Sequence, residues 1–415
     1  MKTVGILGGG QLGLLLAHSL TRLGAKVVIY DPDPAAPARK VAWKSFQASW
    51  TDLTSLREFA SLCDVITYEF ENVEISGLRK LDGRVPIYPS LDVLATTQDR
   101  VFEKQFLVQN DLPVAAFEVV NSYEELDKIK DGITFPCILK TATGGYDGKG
   151  QFVFKNAADL EAFVAERPLP HLRAVIEEQL ALVMELSCIV ARSKSADEDT
   201  PAQIFPVMQN VHHKQILDTT VMPADISPAL AVVVKDIALV AAEQLDLVGL
   251  LTCEFFVTRD PGQGRRAVEV DGYYVFVNEF APRPHNSGHI TMNATSISQY
   301  DLLARVLLDI PLVEPRLVAG GYYCLANLLG EVWLAQGTDK GHELDLQALK
   351  FHPDIVDLVI YGKESARNGR KMGHVVSYSA TTDGAIGAVK DVRAALACVP
   401  GGREKVSDFS GGSPQ

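Results

Sequence analysis

Leu139-Lys-Thr-Ala-Thr-Gly-Gly-Tyr-Asp-Gly-Lys-Gly-Gln151 is the stretch on which the reading of this 415-residue chain turns. Gly144, Gly145, Gly148 and Gly150 fall within seven residues, between two strand-like apolar runs, Pro136–Lys140 and Gln151–Phe154. Lys149 is followed by Gly150 rather than Ser or Thr, and a strand, not a helix, follows, so this is not the P-loop pattern. A hairpin tip needs only one or two glycines. Four suit a flap whose backbone N–H groups lie over phosphates, with Lys140 reaching them as a point charge. The plain alternative is a flexible surface hairpin.

Working outward, helices are expected at Ser122–Lys130 and Ala157–Ala165, making a small unit around the flap. Upstream, one helical pattern runs from Leu91 to Gln109 and ends at Asn110-Asp111-Leu112-Pro113, a domain boundary. At the N-terminus a buried strand (residues 3–7), a glycine turn, a helix from about Leu12 to Leu23 and a strand Val27–Tyr30 form a β-α-β unit. Asp64–Tyr68 is a further strand. Downstream a strand-rich region runs from about Ile176 to about His374, with a hairpin tip at Arg259–Arg266. One weak helix, Gly384–Ala397, lies in the tail.

Composition narrows the class. Apolar residues make up 47% and charged residues 22%, as in ordinary globular proteins. The net charge of −13 disfavours nucleic-acid and anionic-membrane partners. Any anionic substrate must therefore be held by local cations. Six scattered cysteines form no C-x-x-C pair, which argues against zinc and redox motifs and for a reducing, cytoplasmic compartment. The longest apolar helix candidate, Ala229–Ala242, is interrupted by Lys235 and Asp236, so no membrane span is expected.

Gly8-x-Gly10-x-x-Gly13 with Asp31 matches the dinucleotide fingerprint, whose mechanism is an anion at a helix N-terminus. That mechanism specifies an anion and leaves NAD, flavin or plain packing open. Glu254 in LLTCEFFV and Asn278-Glu279 in YYVFVNEFAP place carboxylates inside apolar strands, which is costly unless they are paired or metal-bound. Two such groups beside ATP phosphates suit Mg²⁺; solvated glutamates on an edge strand are the alternative. Arg283, His285, Asn286, Ser287 and His289 follow in a Pro/Gly-punctuated loop suited to a polar substrate. Lys363, Arg367, Arg370 and Lys371 form a basic run that is either a solvated face or an anion site.

Together these segments resemble the 5-(carboxyamino)imidazole ribonucleotide synthases, ATP-dependent carboxylating enzymes of purine biosynthesis in the ATP-grasp superfamily. The matching stretches are GILGGGQLG (Gly5–Gly13), ITYEFENV (Ile66–Val73), QDR (Gln98–Arg100), LKTATGGYDGKGQ, EEQLALVMELS (Glu177–Ser187), NVHHKQIL (Asn210–Leu217), VNEFAPRPHNSGH (Val277–His289) and GRKMGH (Gly369–His374). They cover roughly residues 1 to 375 in family order. The resemblance implies an α/β ATP-grasp fold with a Rossmann-like N-terminal domain (1–110), a small flap subdomain (111–180), a C-terminal ATP-grasp and substrate domain (181–379) and a tail of uncertain structure (380–415).

By the same resemblance, Arg100, Lys140 and the flap residues Gly145, Tyr146, Asp147, Gly148, Lys149, Gly150 and Gln151 would bind ATP. Glu177, Glu178, Gln179 and Leu180 would form the hinge at adenine, Glu185 would take the ribose hydroxyls, and His212 would sit near the nucleotide. Glu254 and Glu279 would hold Mg²⁺, with Asn278 beside them. Gln11, Leu12, Glu69, Glu71, Tyr146, Asn286, Ser287, Lys363 and Arg370 would face aminoimidazole ribonucleotide. Asp147, Lys149 and Arg283 would be catalytic. The first glycine loop would lie by the ribonucleotide phosphate, so neither NAD nor biotin is expected, and a homodimer is. Bicarbonate is the second small-molecule substrate and would attack the γ-phosphoryl group of ATP, displacing ADP and giving carboxyphosphate. The chain departs from the family at Gln215, where a glycine is usual, and at Asn368, where a proline is usual; neither change removes a candidate catalytic group.

Overall fold

Strands Thr3–Leu7, Lys26–Tyr30 and Val65–Tyr68 are almost continuous apolar runs, as expected for a sheet covered on both faces, and Lys44–Phe46 is a short polar edge strand. They form a parallel sheet in the spatial order 44–46, 26–30, 3–7, 65–68. Helix Gln11–Arg22 follows the first strand directly. The computed structural model describes residues 1–81, 83–145, 149–194, 202–263 and 266–397.

The segment around the flap is a second, antiparallel sheet, in the order Phe117–Val120, Ala174–Glu178, Cys137–Thr141, Gln151–Phe154. Helices Tyr123–Ile129 and Ala157–Glu166 cover one face around Leu126, Leu139, Phe154, Leu160 and Phe163. Alternation along the strand decides what the other face carries. Cys137 and Leu139 enter that core, while Ile138 and Lys140 line the cleft.

The third sheet has ten strands. Its central members are Tyr273–Ala281, Gly249–Thr258, Leu182–Arg192, Met208–His213, Ile216–Met222, Tyr322–Leu329 and Lys371–Ser379, all antiparallel to their neighbours. The apolar stretch expected at 229–242 is helix Pro228–Gln244, packed on this sheet. Among the described residues no helix is long and apolar enough to cross a membrane. Val4, Leu16, Leu20 and Ile29 of the first unit share one core with Ile189, Leu250, Leu303 and Leu325. The first sheet is thereby fixed against the large one, and the cleft lies between them and the flap sheet.

Two expectations need correction. The pattern from Leu91 to Gln109 is two helices, Leu91–Gln98 and Arg100–Gln109. Asp99 breaks it: its backbone is extended, and its side chain accepts from the N–H groups of Val101 and Phe102. That is a helix N-cap inside an unbroken apolar periodicity. The break also lets the Arg100 N–H donate to the Ala142 carbonyl at 2.8 Å, tying this helix to the flap strand. The second correction concerns the tail. Helix Thr382–Leu396 is capped by Thr381 and buries Ala385, Val389, Val392 and Leu396 against the sheet with Cys324, Ala326 and Val375. Arg393 grips Asp218 through both carboxylate oxygens, at 2.5 and 3.3 Å.

Because Leu396 is fully buried, Leu396→Ala should lower unfolding free energy by about 2–5 kcal/mol. Urea denaturation of the two proteins measures it; a loss within 0.5 kcal/mol, the range of ordinary surface changes, would place this helix outside the core.

Candidate active site

One cleft of about 640 Å³ gathers most of the expected residues. Its lining includes Gln11, Leu12, Glu69, Glu71, Arg100, Lys140, Gly145, Gln151, Glu177, Glu178, Gln179, Leu180, Glu185, His212, Glu254, Asn278, Glu279, Arg283 and Asn286. Tyr146, Asp147 and Gly148 lie outside the described residues. Lys149 is exposed, and neither it nor Ser287, Lys363 or Arg370 is part of the lining.

The flap enters from strand Cys137–Thr141. Gly144 and Gly150 have positive φ, and the Thr141 N–H donates to the Gly150 carbonyl at 2.9 Å. A Cβ at Gly150 would stand 2.2 Å from Thr141 Oγ1, so this turn requires glycine. Below it, Lys140 Nζ pairs with Glu177 Oε1 at 2.6 Å, and Lys104 Nζ with Glu177 Oε2 at 3.0 Å. Both oxygens of the Glu177 carboxylate are therefore engaged by lysines. Burial pushes the Glu177 carboxyl up, but the lysine charges outweigh it and hold it at about 2. Burial also lowers Lys140, with Glu177 opposing and Lys104 and Arg100 adding to the effect. The Glu178 carboxylate accepts from the Gln263 N–H at 2.7 Å, which ties the hinge to the 259–263 turn.

Glu254 and Glu279 are direct partners across antiparallel strands, with a bulge just after Glu254. Each has its own basic partner. Arg100 donates to Glu279 at 2.9 Å, and His285 Nε2 lies 3.1 Å from Glu254. Despite burial, the His285 hydrogen bond and the charges of His285, His212 and Arg283 hold Glu254 at about 2. His212 Nδ1 meets Glu185 at 2.6 Å; burial lowers the His212 pKa, but Glu185 and the other carboxylates raise it overall. Arg283 pairs with Glu71 and also donates to the Pro284 carbonyl at 3.0 Å. Gln11 Nε2 reaches Asn286 Oδ1 at 3.4 Å, joining the glycine loop to the 283–289 loop.

One site expectation fails on geometry. Ser287 is fully buried, with its hydroxyl 2.9 Å from His285 Nδ1 and 3.1 Å from Ser187 Oγ. It orients His285 and cannot touch a ligand in the cleft. Three N–H groups of the first glycine loop are committed within the domain. Gly9 N–H donates to Asp31 at 2.6 Å, and Gly10 and Gly13 donate to Glu69 at 2.8 and 2.9 Å. Gln11 and Leu12, which follow at the start of the helix, line the cleft.

The basic run instead folds on itself. Lys363 Nζ donates to the Lys371 carbonyl at 2.6 Å, and Arg370 donates to the carbonyl and hydroxyl of Ser365 at 2.8 and 3.0 Å. Burial and the Arg370 charge push Lys363 down to about 8, while Glu69 pulls the other way. Lys371, not singled out as a ligand, is the member of the run that lines the cleft.

Sequence reasoning also missed Lys104 and Glu103. Both are 1% exposed, and Glu103 accepts from the Phe280 N–H at 2.7 Å. Their signal was available, since positions three and four after Arg100 share its helix face. Lys214 and Gln215 line the cleft too, at left-handed φ of 50° and 67°.

The chain has recognisable relatives. Residues 1–98 match the ribonucleotide synthetase preATP-grasp domain, 105–300 the ATP-grasp domain, and 324–386 the phosphoribosylaminoimidazole carboxylase C-terminal domain. The N5-carboxyaminoimidazole ribonucleotide synthase of Bacillus subtilis is 35% identical over 375 residues, 90% of each chain. This chain belongs to the N5-carboxyaminoimidazole ribonucleotide synthase family. Among solved structures, an ADP complex of an N5-carboxyaminoimidazole ribonucleotide synthetase is 34% identical with a TM-score of 0.82, covering 94% of this chain and 96% of that one. The Aspergillus clavatus enzyme in complex with ADP and 5-aminoimidazole ribonucleotide is 26% identical with a TM-score of 0.78, covering 95% and 98%. The chain is thus an ATP-grasp ligase in fold and family, with the expected Rossmann-like unit in front.

Next to the 283–289 loop, the imidazoles of His289 and His374 stack at 4.7 Å with planes 9° apart. Tyr300 OH lies 2.6 Å from His289 Nδ1 and Tyr361 OH 2.8 Å from His374 Nδ1. Burial lowers both imidazoles, His374 to about 3. The unfolded chain therefore takes up protons below about pH 6.5 that the folded one refuses. Each such histidine removes about 2 kcal/mol of stability between pH 6.5 and 5. Glu103, raised to about 8 by burial and by Glu279, and His212 act in the opposite sense, so the readout is a difference. Going from pH 7.5 to 5, the stability of His374→Phe should fall by less than that of the unsubstituted protein. Chemical denaturation at the two pH values measures this, and identical pH responses would count against a neutral buried His374.

Proposed function

We propose that the chain carboxylates the exocyclic amine of 5-aminoimidazole ribonucleotide with bicarbonate and ATP, giving N5-carboxyaminoimidazole ribonucleotide, ADP and phosphate in purine biosynthesis. The observation that carries this is the convergence of Arg100, Lys140, the Glu254/Glu279 pair and Arg283 on one cleft, in a chain of this family.

A bicarbonate oxygen attacks the γ-phosphorus as the bond to the bridging oxygen of ADP breaks, giving carboxyphosphate. This, or the CO₂ released from it, is captured by the amine. Catalysis of such a transfer is mostly positioning and charge neutralisation. Lys140 and Arg100 offer cations to the phosphates. Arg283, held in one direction by Glu71 and the Pro284 carbonyl, is placed to receive the bicarbonate anion. Asp147 of the flap is read from the sequence as the group that accepts or orients an amine proton. Flap closure excludes water from the labile intermediate.

Glu254 and Glu279 fit Mg²⁺, which takes few protein oxygens and leaves the rest to phosphate and water. Facing residues of an antiparallel pair hold their Cβ atoms about 5 Å apart, so both carboxylates can reach one ion. Bound there, the ion would neutralise the charge on the transferred phosphoryl group. The reading extends to a cytoplasmic homodimer on resemblance to the family.

ADP release should require both aminoimidazole ribonucleotide and bicarbonate. Release driven by formate, or carboxylation of biotin, would overturn the reading in favour of another ATP-grasp ligase. In the same assay Glu279→Gln should cut turnover sharply and raise the magnesium requirement; an unchanged magnesium titration would remove the metal assignment.

The phosphate of the ribonucleotide is assigned to Lys363 and Arg370. The charge of Glu69 acts on Lys363 and that of Asp33 on Arg370, so the run faces the first unit. A charge-assisted contact is worth about 1.5–3 kcal/mol. Arg370→Ala should therefore weaken ribonucleotide binding by about one to two orders of magnitude and barely alter ATP binding. Titration calorimetry at two salt concentrations checks it, and a change within about twofold would make the run a solvated face.

A further inference from the structure

Lys104 sits where solvent scarcely reaches it. Its side chain is 2% exposed, that of Glu177 5% and that of Lys140 7%. The Glu177 carboxylate stands between the two ammonium groups, one oxygen to each. Asn278 steadies the far side. Its carbonyl accepts from Lys104 at 3.3 Å, and its side-chain oxygen lies 3.5 Å from Lys140. Arg100, the nearest other cation, is engaged with Glu279. The triad therefore carries two positive charges and one negative.

That count has a consequence. Glu177 and Lys140 alone would be a neutral, mutually satisfied pair, and a neutral pair attracts phosphate weakly. With Lys104 present, Glu177 divides its attraction between two ammoniums and the group keeps a net charge of +1. Such a surplus is costly in a buried place, and an arriving phosphate removes the cost. We propose that Lys104 is a positioning residue for the nucleotide: it supplies the surplus charge that leaves Lys140 free to engage phosphate, while Glu177 fixes the direction of the Lys140 side chain. The proposal rests on the reading of Lys140 as a ligand of ATP phosphates.

A charge-count experiment separates this from a packing role. Lys104→Gln keeps a donor for the Asn278 carbonyl and removes the charge. ATP affinity, measured by titration calorimetry with magnesium present, should fall by about tenfold or more. Adding Glu177→Gln to Lys104→Gln returns the net charge to +1, and affinity should recover to within about threefold of the unsubstituted protein. Lys104→Arg, which keeps the charge, should also stay within about threefold. A purely structural role predicts instead a loss of stability in chemical denaturation with the ATP affinity of the folded variants unchanged. A double variant weaker than Lys104→Gln overturns the proposal, as does a Lys104→Gln protein that binds ATP normally. If Lys104→Gln does not fold, Lys104→Met, with the same charge count, takes its place in both arms. An unsubstituted protein that binds no ATP would overturn the underlying nucleotide reading instead.

Discussion

Five carboxylates of the cleft are each held by a basic side chain: Glu71 by Arg283, Glu279 by Arg100, Glu177 by Lys104 and Lys140, Glu254 by His285, and Glu185 by His212. Burying charge is affordable only when it is paired, and this constraint shapes the whole site. It explains how a chain of net charge −13 maintains a place for polyanions. The cations are already gathered and desolvated by their carboxylates. An incoming phosphate exchanges one anionic partner for another instead of stripping water from a free lysine.

The exchange also couples the ligands. When Arg100 turns to a phosphate it leaves Glu279 without a cation, beside Glu254 on the facing strand. Two uncompensated carboxylates so close repel one another. On the proposed reading, a metal held by Glu254 and Glu279 would restore the pairing, so nucleotide and metal are expected to bind as a unit. Lys140 differs, because Glu177 retains Lys104 as a partner.

Much of this was legible from residue order. Glycine punctuation between two apolar runs placed the flap, and carboxylates inside apolar strands marked Glu254 and Glu279, because both signals are local. The break at Asp99 was not legible, since apolar spacing continues across it and only the cap chemistry of one residue opposes it. Nor was the partner of Lys104. Its helix face was readable from Arg100, but Glu177 arrives from a strand of the flap sheet, and no spacing rule joins them. Ser287 illustrates the remaining kind of error. A polar residue in a polar loop was taken to face the ligand, whereas its hydroxyl completes a buried chain from His285 to Ser187 and Asn210.

The first glycine loop carries the sharpest lesson about motifs. Its pattern specifies a site for an anion at a helix N-terminus, and an anion is there, but it belongs to the protein. The strand Val65–Tyr68 ends by delivering Glu69, whose carboxylate takes the N–H groups of Gly10 and Gly13 while Asp31 takes that of Gly9. A Cβ at Gly8 or Gly10 would stand 2.6 or 2.7 Å from the Glu69 side chain, and one at Gly13 would stand 2.8 Å from the Gly8 carbonyl. All three glycines are thus closely packed against internal groups. The same spacing that elsewhere cradles a dinucleotide here commits three of its N–H groups within the domain. A fingerprint of this kind reports backbone geometry, and only the bookkeeping of its N–H groups tells whose anion it holds.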